Sequence, residues 1–412
     1  MELDYLTLND FDLGNKRVLL RLDINSPLDP ATNRILDDSR IVAAKPSLIG
    51  LREAKVVVLA HQSRPGKTDF TSLQQHADLL KTVCSQPVRF VEDVIGPSAR
   101  EAIRGTKKGE VLILDNVRLC AEEILEDKGD KLAKTNLVSR LAPLFDLYVN
   151  DAFASAHRAQ ASMVGFPAVL PSAAGLLLEK ELAALNRLLK NPEHPSTYIL
   201  GGAKIEDKVP VIENILGTGK ADHVLVGGNV GKVFLKARGQ HFNEFEEKSL
   251  AGAADEVRKA GEMLRRYGDQ IILPIDFGTL DNGRRIEVST GAIAQAAGNA
   301  WDIGLKTAEA YADTIRQSRV VVASGPMGVF EQPGFEAGTR RILEAMADSE
   351  AFTVIGGGHM AGYASILGIA SRFSHVSTAG GAMLSLLSGE DLPAITALVE
   401  ASKRYRKTRM AT

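Results

Sequence analysis

The sequence is short of the residues and patterns that several protein classes depend on. It has two cysteines in 412 residues. Cys84 and Cys120 lie far apart and fit no metal-binding or redox spacing, so a disulfide scaffold or a zinc ribbon is excluded and two reduced thiols are expected. No run of 18 apolar residues exists, so no membrane span is expected. Neither charge sign dominates, with 49 Lys and Arg against 51 Asp and Glu. A near-neutral balance argues against a nucleic-acid or membrane-surface partner, which would call for a basic face. The eight histidines contain no H-x-x-x-H pair, which removes a helix-borne zinc site. The acidic opening Met1-Glu2-Leu3-Asp4 has no apolar segment of the kind a secretory signal uses, and a cytoplasmic location is the expectation.

What is present is unevenly distributed. Of 37 glycines, 9 fall in residues 1–175 and 28 in 176–412. Short β-branched runs recur in both halves, at Val18–Leu22, Lys55–Leu59, Val111–Leu114 and Leu147–Val149, then at Tyr198–Leu200, His223–Val226, Ile271–Leu273, Val320–Val322 and Phe352–Ile355. Continuous apolar runs of this length suit strands buried on both faces of a parallel sheet. Amphipathic stretches at 253–267, closed by Gly268, and at 339–349 alternate with them. The fold class expected is α/β, with two doubly wound, Rossmann-like parallel-sheet domains joined by a hinge helix. Residues 172–191 read as that helix, ended by Asn191-Pro192. The domains expected are 1–172, a connecting helix at 173–191, and 192–392, with a tail of 393–412 returning to the first domain.

Ligands of open α/β sheets sit beyond the carboxyl ends of the strands. In the first half those positions carry Asp23 and Asn25, His61 and Arg64, Asn116 and Arg118, and His157 and Arg158, while Arg40 follows Asp37-Asp38. Guanidinium forks match phosphate and carboxylate and stay charged at any pH, so this half reads as a site for a small anion. In the second half the strand ends are glycine-rich: Gly201-Gly202-Ala203-Lys204, Gly227-Gly228-Asn229, Ser324-Gly325-Pro326-Met327-Gly328, Gly356-Gly357-Gly358-His359 and Gly380-Gly381. Backbone meets a phosphate or a base closely only where no Cβ intervenes, and helix N-termini add positive potential. This half reads as a nucleotide cleft. No Walker loop is present. The loose dinucleotide fingerprint Gly356–Ala361 lacks the acid about 20 residues on, since Arg372–Gly381 holds neither Asp nor Glu.

A specific resemblance emerges from ordered blocks. Arg21-Leu22-Asp23-Ile24-Asn25-Ser26-Pro27, Asp38-Ser39-Arg40, His61-Gln62-Ser63-Arg64-Pro65, Leu114-Asp115-Asn116-Val117-Arg118, Val149-Asn150-Asp151-Ala152-Phe153 through Arg158, Gly201–Lys204 with Lys208, Asp302-Ile303-Gly304, Ser324–Glu331 and Ser377–Ala382 resemble, in order, the motifs of the phosphoglycerate kinase family. They run over nearly the whole chain.

The resemblance implies reversible phosphoryl transfer from 1,3-bisphosphoglycerate to ADP, giving 3-phosphoglycerate and ATP, with Mg²⁺. It assigns the phosphoglycerate to Asp23, Asn25, Arg40, His61, Arg64, Arg118 and Arg158. It assigns the nucleotide to Gly201, Gly202, Lys204, Lys208, Gly227, Gly228, Gly325, Glu331, Gly356, Gly357, Gly358, His359 and Met360, with Glu331 at the ribose. Arg40 and Lys204 are the expected catalytic residues on the moving phosphoryl, and the reaction is expected to need closure about the hinge.

The chain departs from the family pattern at three positions. His359 stands where most members carry a Mg²⁺-binding Asp, as in the archaeal branch, and leaves the metal ligand open. Glu206 and Ser324 replace the usual Ser or Ala and Asn, which leaves ATP against GTP undecided. The expected assembly is a monomer, with a dimer as the alternative. A catalytically inactive nucleotide-binding homologue and a dinucleotide-dependent dehydrogenase are the other readings.

Overall fold

The computed structural model describes residues 4–190 and 192–410. Two compact units are defined by their internal packing. One comprises Met1–Ala183 with Asp391–Thr412, the other Ala184–Glu390, and the division falls inside a helix.

The first unit is built on β1 (Arg17–Arg21), β2 (Lys55–Leu59), β3 (Val88–Val91), β4 (Val111–Leu114), β5 (Leu147–Asn150) and β6 (Ser172–Ala174). They form one parallel sheet in the order β3-β4-β2-β1-β5-β6. Side chains alternate between faces along each strand. On one face Val18, Leu20, Val56, Val58, Val111, Ile113 and Val149 form a single core, against Ile41, Leu48, Ala77 and Leu80 of the covering helices. Leu19, Val57, Leu112 and Tyr148 are buried as well, so both faces of the sheet are covered.

The second unit has β7 (Ser196–Leu200), β8 (His223–Val226), β9 (Ile271–Ile272), β13 (Val320–Ser324), β14 (Phe352–Gly356) and β15 (His375–Ser377), again parallel, in the order β15-β14-β13-β7-β8-β9. Ile199, Leu225, Val321, Ala323 and Ile355 pack here against Tyr311, Ile315, Ile342 and Met346.

Between β9 and β13 lies a feature the apolar runs did not announce. β10 (Asp276–Asp281), β11 (Arg284–Ser289) and β12 (Ala300–Ile303) form an antiparallel sheet. Asn282 and Gly283, both at positive φ (47° and 76°), make the tight turn between the first two. Arg285 fastens this sheet by donating to Asp302 Oδ2 at 2.7 Å and to the Ile303 carbonyl at 2.9 Å.

The joining helix differs from the expected 172–191. Ser172–Ala174 extends the first sheet, and the helix runs Leu176–Lys190. Ordered pairing with β5 outcompetes helix there, because Tyr148–Asn150 offers an open edge to Ser172–Ala174. The helix then starts where Asp151 Oδ1 accepts the Leu177 and Leu178 N–H groups at 2.9 and 3.0 Å, a cap supplied from outside the helix itself. Glu179 in the first turn and Arg187 and Lys190 in the last suit its dipole. Its expected stop at Asn191 lies outside the described residues.

The helix expected at 253–267 runs Ala254–Tyr267, and Gly268 enters a 3₁₀ turn at φ −54° rather than a left-handed cap. The chain from Pro393 to Met410 is a helix packed on the first unit, where Ala394 N–H donates to the Ala156 carbonyl and Tyr405 meets Phe11 with ring centroids 5.0 Å apart.

Candidate active site

In the first unit the carboxyl ends of β1, β2, β4 and β5 bring basic groups around one carboxylate. Asp23, just beyond β1, accepts from Arg40 Nη1 at 2.8 Å and from Ser155 Oγ at 2.6 Å. Arg40 lies in the short helix Ser39–Ala43 and stays about one-third exposed, so its guanidinium is held on one side and open on the other. Burial opposes ionisation of Asp23, while Arg40, the Ser155 hydroxyl and Arg21 favour it, and the carboxyl sits well below the usual range. Asn25 is fixed by accepting the Ser63 N–H at 2.7 Å.

His61, beyond β2, is buried, and its Nδ1 lies 3.1 Å from Arg21 Nη2. Burial pushes His61 down to about 3 against the pull of Asp23, with Arg21, Arg118 and Arg40 all acting the same way as burial. Arg118 donates to the Ser63 carbonyl. Burial and the nearby Arg21 and Arg158 lower its pKa, the signature of cations crowded into one field. Arg158 is exposed and reaches Glu126 at 3.4 Å. Arg64 is exposed on the turn after Ser63, whose φ is 53°. Arg40, His61 and Arg118 thus share one field around Asp23, whereas Arg64 and Arg158 sit on its solvent side.

Arg21 appears in the motif but was not singled out from the sequence. It is fully buried at the end of β1. Its Nε donates to Ser162 Oγ at 2.9 Å, and Ser162 is in turn held by the buried Glu123. A wholly buried guanidinium needs such a counter-charge. The signal for it was a charge interrupting an apolar strand, Val18-Leu19-Leu20-Arg21-Leu22.

The second unit holds a cavity of about 530 Å³ at the carboxyl ends of its sheet. Gly201, Gly202, Lys204, Lys208, Gly228, Gly325, Glu331, Gly356, Gly357, His359 and Met360 all line it. Gly227 and Gly358 are not among its lining residues. Gly227 precedes the Gly228–Ala237 helix, where a Cβ would come within 2.6 Å of Met327 Sδ. Gly358 is the first residue of the Gly358–Ile366 helix.

Two glycines shape the floor by necessity. Gly325 has φ +84°, and a Cβ on it would lie 2.3 Å from the Gly201 carbonyl oxygen. Gly357, at φ +97°, caps the Gly358–Ile366 helix, whose first turn lines the cavity at His359 and Met360, and a helix N-terminus is a ready site for phosphate oxygens. Lys208 is buried and donates to Ser324 Oγ at 2.6 Å. Burial pushes it down to about 8, partly offset by Asp207, with Lys204 adding to the fall. His359 is exposed, its ring 6.2 Å from Phe330. Asp207, Lys232 and Trp301 also line the cavity and were not singled out from the sequence.

One unit therefore offers a buried-backed cationic cluster and the other a glycine-walled cavity with a helix N-terminus. Comparison with known proteins identifies the family. Residues 8–390 match the family model described as phosphoglycerate kinase. The chain is 45% identical to the phosphoglycerate kinase of Methanothermus fervidus, covering 98% of this chain and 99% of that one, and 44% identical to that of Methanobacterium bryantii, covering 99% and 100%. The solved phosphoglycerate kinase of Pyrococcus horikoshii OT3 superposes with a TM-score of 0.89 at 42% identity, over 97% of this chain and 99% of that one. That of Coxiella burnetii gives 0.79 at 33%, over 96% and 99%. On these grounds the chain belongs to the phosphoglycerate kinase family.

Proposed function

We propose that this chain binds phosphoglycerate on the cationic cluster of the first unit and nucleotide in the cavity of the second. The reaction is reversible transfer of the acyl-phosphate phosphoryl of 1,3-bisphosphoglycerate to ADP, giving 3-phosphoglycerate and ATP. The observation that carries the site assignment is the gathering of Arg40 and Arg118, with the neutral His61, around Asp23, which presents fixed positive charge and a hydrogen-bond donor to a small polyanion.

The leaving group in the ATP-forming direction is a carboxylate, so no residue has to act as a general base. The chain's task is to position the reactants and to neutralise charge that spreads over the three oxygens of the moving phosphoryl. Arg40, held by Asp23, keeps its open side for that group. Lys204, exposed on the turn after β7, meets it from the nucleotide side. The amides at Gly357–Met360 hold the outer phosphates. Lys208 supports the inner ones. Glu331 accepts from ribose hydroxyls at the cavity wall.

Mg²⁺ prefers oxygen donors and commonly keeps one or two carboxylates beside the phosphates. Asp207 supplies such a carboxylate on the cavity wall, close enough to Lys208 to influence its titration. The imidazole of His359 does not suit this ion. Among the described residues no three His, Cys, Asp or Glu side chains converge on a metal position. Asp207, nucleotide oxygens and water fit the requirement, and the ion when bound neutralises phosphate charge. The thiols of Cys84 and Cys120 are free, and burial raises both, which keeps them unreactive. Among the described residues no helix is long and apolar enough to cross a membrane.

Incubation with 3-phosphoglycerate and MgATP, coupled to reductive consumption of 1,3-bisphosphoglycerate, tests the reading. Turnover that depends on both substrates is expected. Its absence in a folded sample would refute the activity.

A further inference from the structure

The cavity wall carries a buried ion pair for which phosphoryl transfer has no use. Lys232 lines the cavity, with its side chain 8% exposed. Its Nζ donates to Glu246 Oε2 at 2.6 Å and to the Ala300 carbonyl at 2.8 Å. Glu246 also accepts the Ala300 N–H at 2.7 Å, so the pair is fixed to the start of β12. Burying two charges is costly, and apolar residues of similar volume often serve packing as well or better. An ammonium has three N–H donors, and two are accounted for here.

The strand order places Lys232 relative to a bound nucleotide. Phosphate is favoured at the N-terminus of the Gly358–Ile366 helix, which follows β14. The lined edge then runs β14, β13, β7, β8. Lys232 is on the Gly228–Ala237 helix that follows β8, three strand spacings or about 14 Å away. With phosphates at one end and the acid Glu331 on the wall, the purine base falls at the β8 end, beside Lys232, Ala300 and Trp301. An N–H donor there meets two adjacent acceptors, O6 and N7, on a 6-oxopurine. On adenine the six position is itself an amino donor.

We propose that Lys232 reads the six position of the purine and biases this enzyme toward guanine and hypoxanthine nucleotides over adenine nucleotides. The inference rests on the reading of this cavity as the nucleotide site.

The chain's single tryptophan, Trp301, lines the same wall, so its fluorescence reports binding independently of turnover. ADP, GDP and IDP are titrated into wild type, into Lys232→Met, and into Lys232→Met combined with Glu246→Gln. The double variant leaves no buried charge unpaired and keeps an acceptor for the Ala300 N–H. In wild type, GDP and IDP are expected to bind more tightly than ADP. In either variant the GDP-to-ADP affinity ratio is expected to fall about tenfold or more, with IDP following GDP. Three results overturn the proposal: a wild type that binds IDP no more tightly than ADP, a ratio unchanged by substitution even if all three nucleotides weaken together, and a ratio change confined to GDP, which would assign the effect to the 2-amino group. If none of the three nucleotides changes Trp301 fluorescence or binds by calorimetry, the reading of the cavity itself fails instead.

Discussion

Arg21 Nη2 lies 3.1 Å from His61 Nδ1, and both groups are buried. A guanidinium is always a donor, so Nδ1 must be the acceptor, and the ring carries its proton on Nε2. His61 therefore offers the substrate a fixed neutral hydrogen bond rather than a switchable charge. Nitrogen-15 NMR of labelled His61 should show the neutral Nε2–H tautomer from pH 5 to 8, since burial holds the ring near 3. An imidazolium signal within that range would contradict the assignment. His61→Gln, which retains an N–H donor, should bind 3-phosphoglycerate about tenfold more tightly than His61→Ala, in line with about 1.5 kcal/mol for a hydrogen bond to a charged group.

Arg40 is both fixed and open, donating to Asp23 at 2.8 Å with about a third of its side chain accessible. Arginines that neutralise a moving phosphoryl contribute about 10³–10⁵ in kcat. Arg40→Ala should lose at least about 10³ in kcat with the nucleotide KM little changed. A loss under about tenfold would mean that Arg40 only helps to hold Asp23.

Lys208 is held down to about 8 by burial, so a fraction of it loses its proton just above neutral pH. Its protonated form is the one that favours phosphate, so nucleotide affinity should weaken as pH rises through about 8 and stay constant below about 7. Trp301 fluorescence titrations from pH 6.5 to 9.5 would show this, with the slope lost in Lys208→Met. A flat wild-type profile would rule out a phosphate-binding Lys208 that titrates near 8.

Much of this was legible in the residues, for identifiable reasons. Parallel strands buried on both faces leave continuous apolar runs, so Val56-Val57-Val58 and Val320-Val321-Val322 announced themselves. The antiparallel sheet did not, because one of its strands is mostly exposed. Arg284–Ser289 has only Ile286 and Val288 set singly among polar residues, which makes no continuous apolar run, and the Asn282-Gly283 pair is what betrays a hairpin. β6 was missed because Ser172-Ala173-Ala174 has good helix formers, and pairing with β5 overrode their propensity. Site residues at strand ends were legible from type and place. Lys232 was not, because its role depends on Glu246 and on the Ala300 carbonyl 68 positions away, a juxtaposition set only by the fold.

Asp151 couples that fold to the joining helix and has its own pH signature. Its Oδ1 accepts from Leu177 and Leu178, yet burial dominates and raises the carboxyl from 3.8 to about 6. A raised carboxyl means that, between those values, the folded chain holds a proton the unfolded chain has released. Stability from this group is therefore fully present below about 3.8 and is lost as pH rises through about 6, a change of about 3 kcal/mol. Asn at 151 keeps the acceptor for the two helix amides but cannot ionise. Relative to wild type, Asp151→Asn should therefore gain stability as pH rises from about 3.8 to about 6 and level off above that, whichever is the more stable at the acid end. Urea unfolding followed by circular dichroism at several pH values measures that difference. A gap independent of pH would show that Asp151 keeps its ordinary carboxyl titration in the fold, with the helix cap and not burial setting its charge.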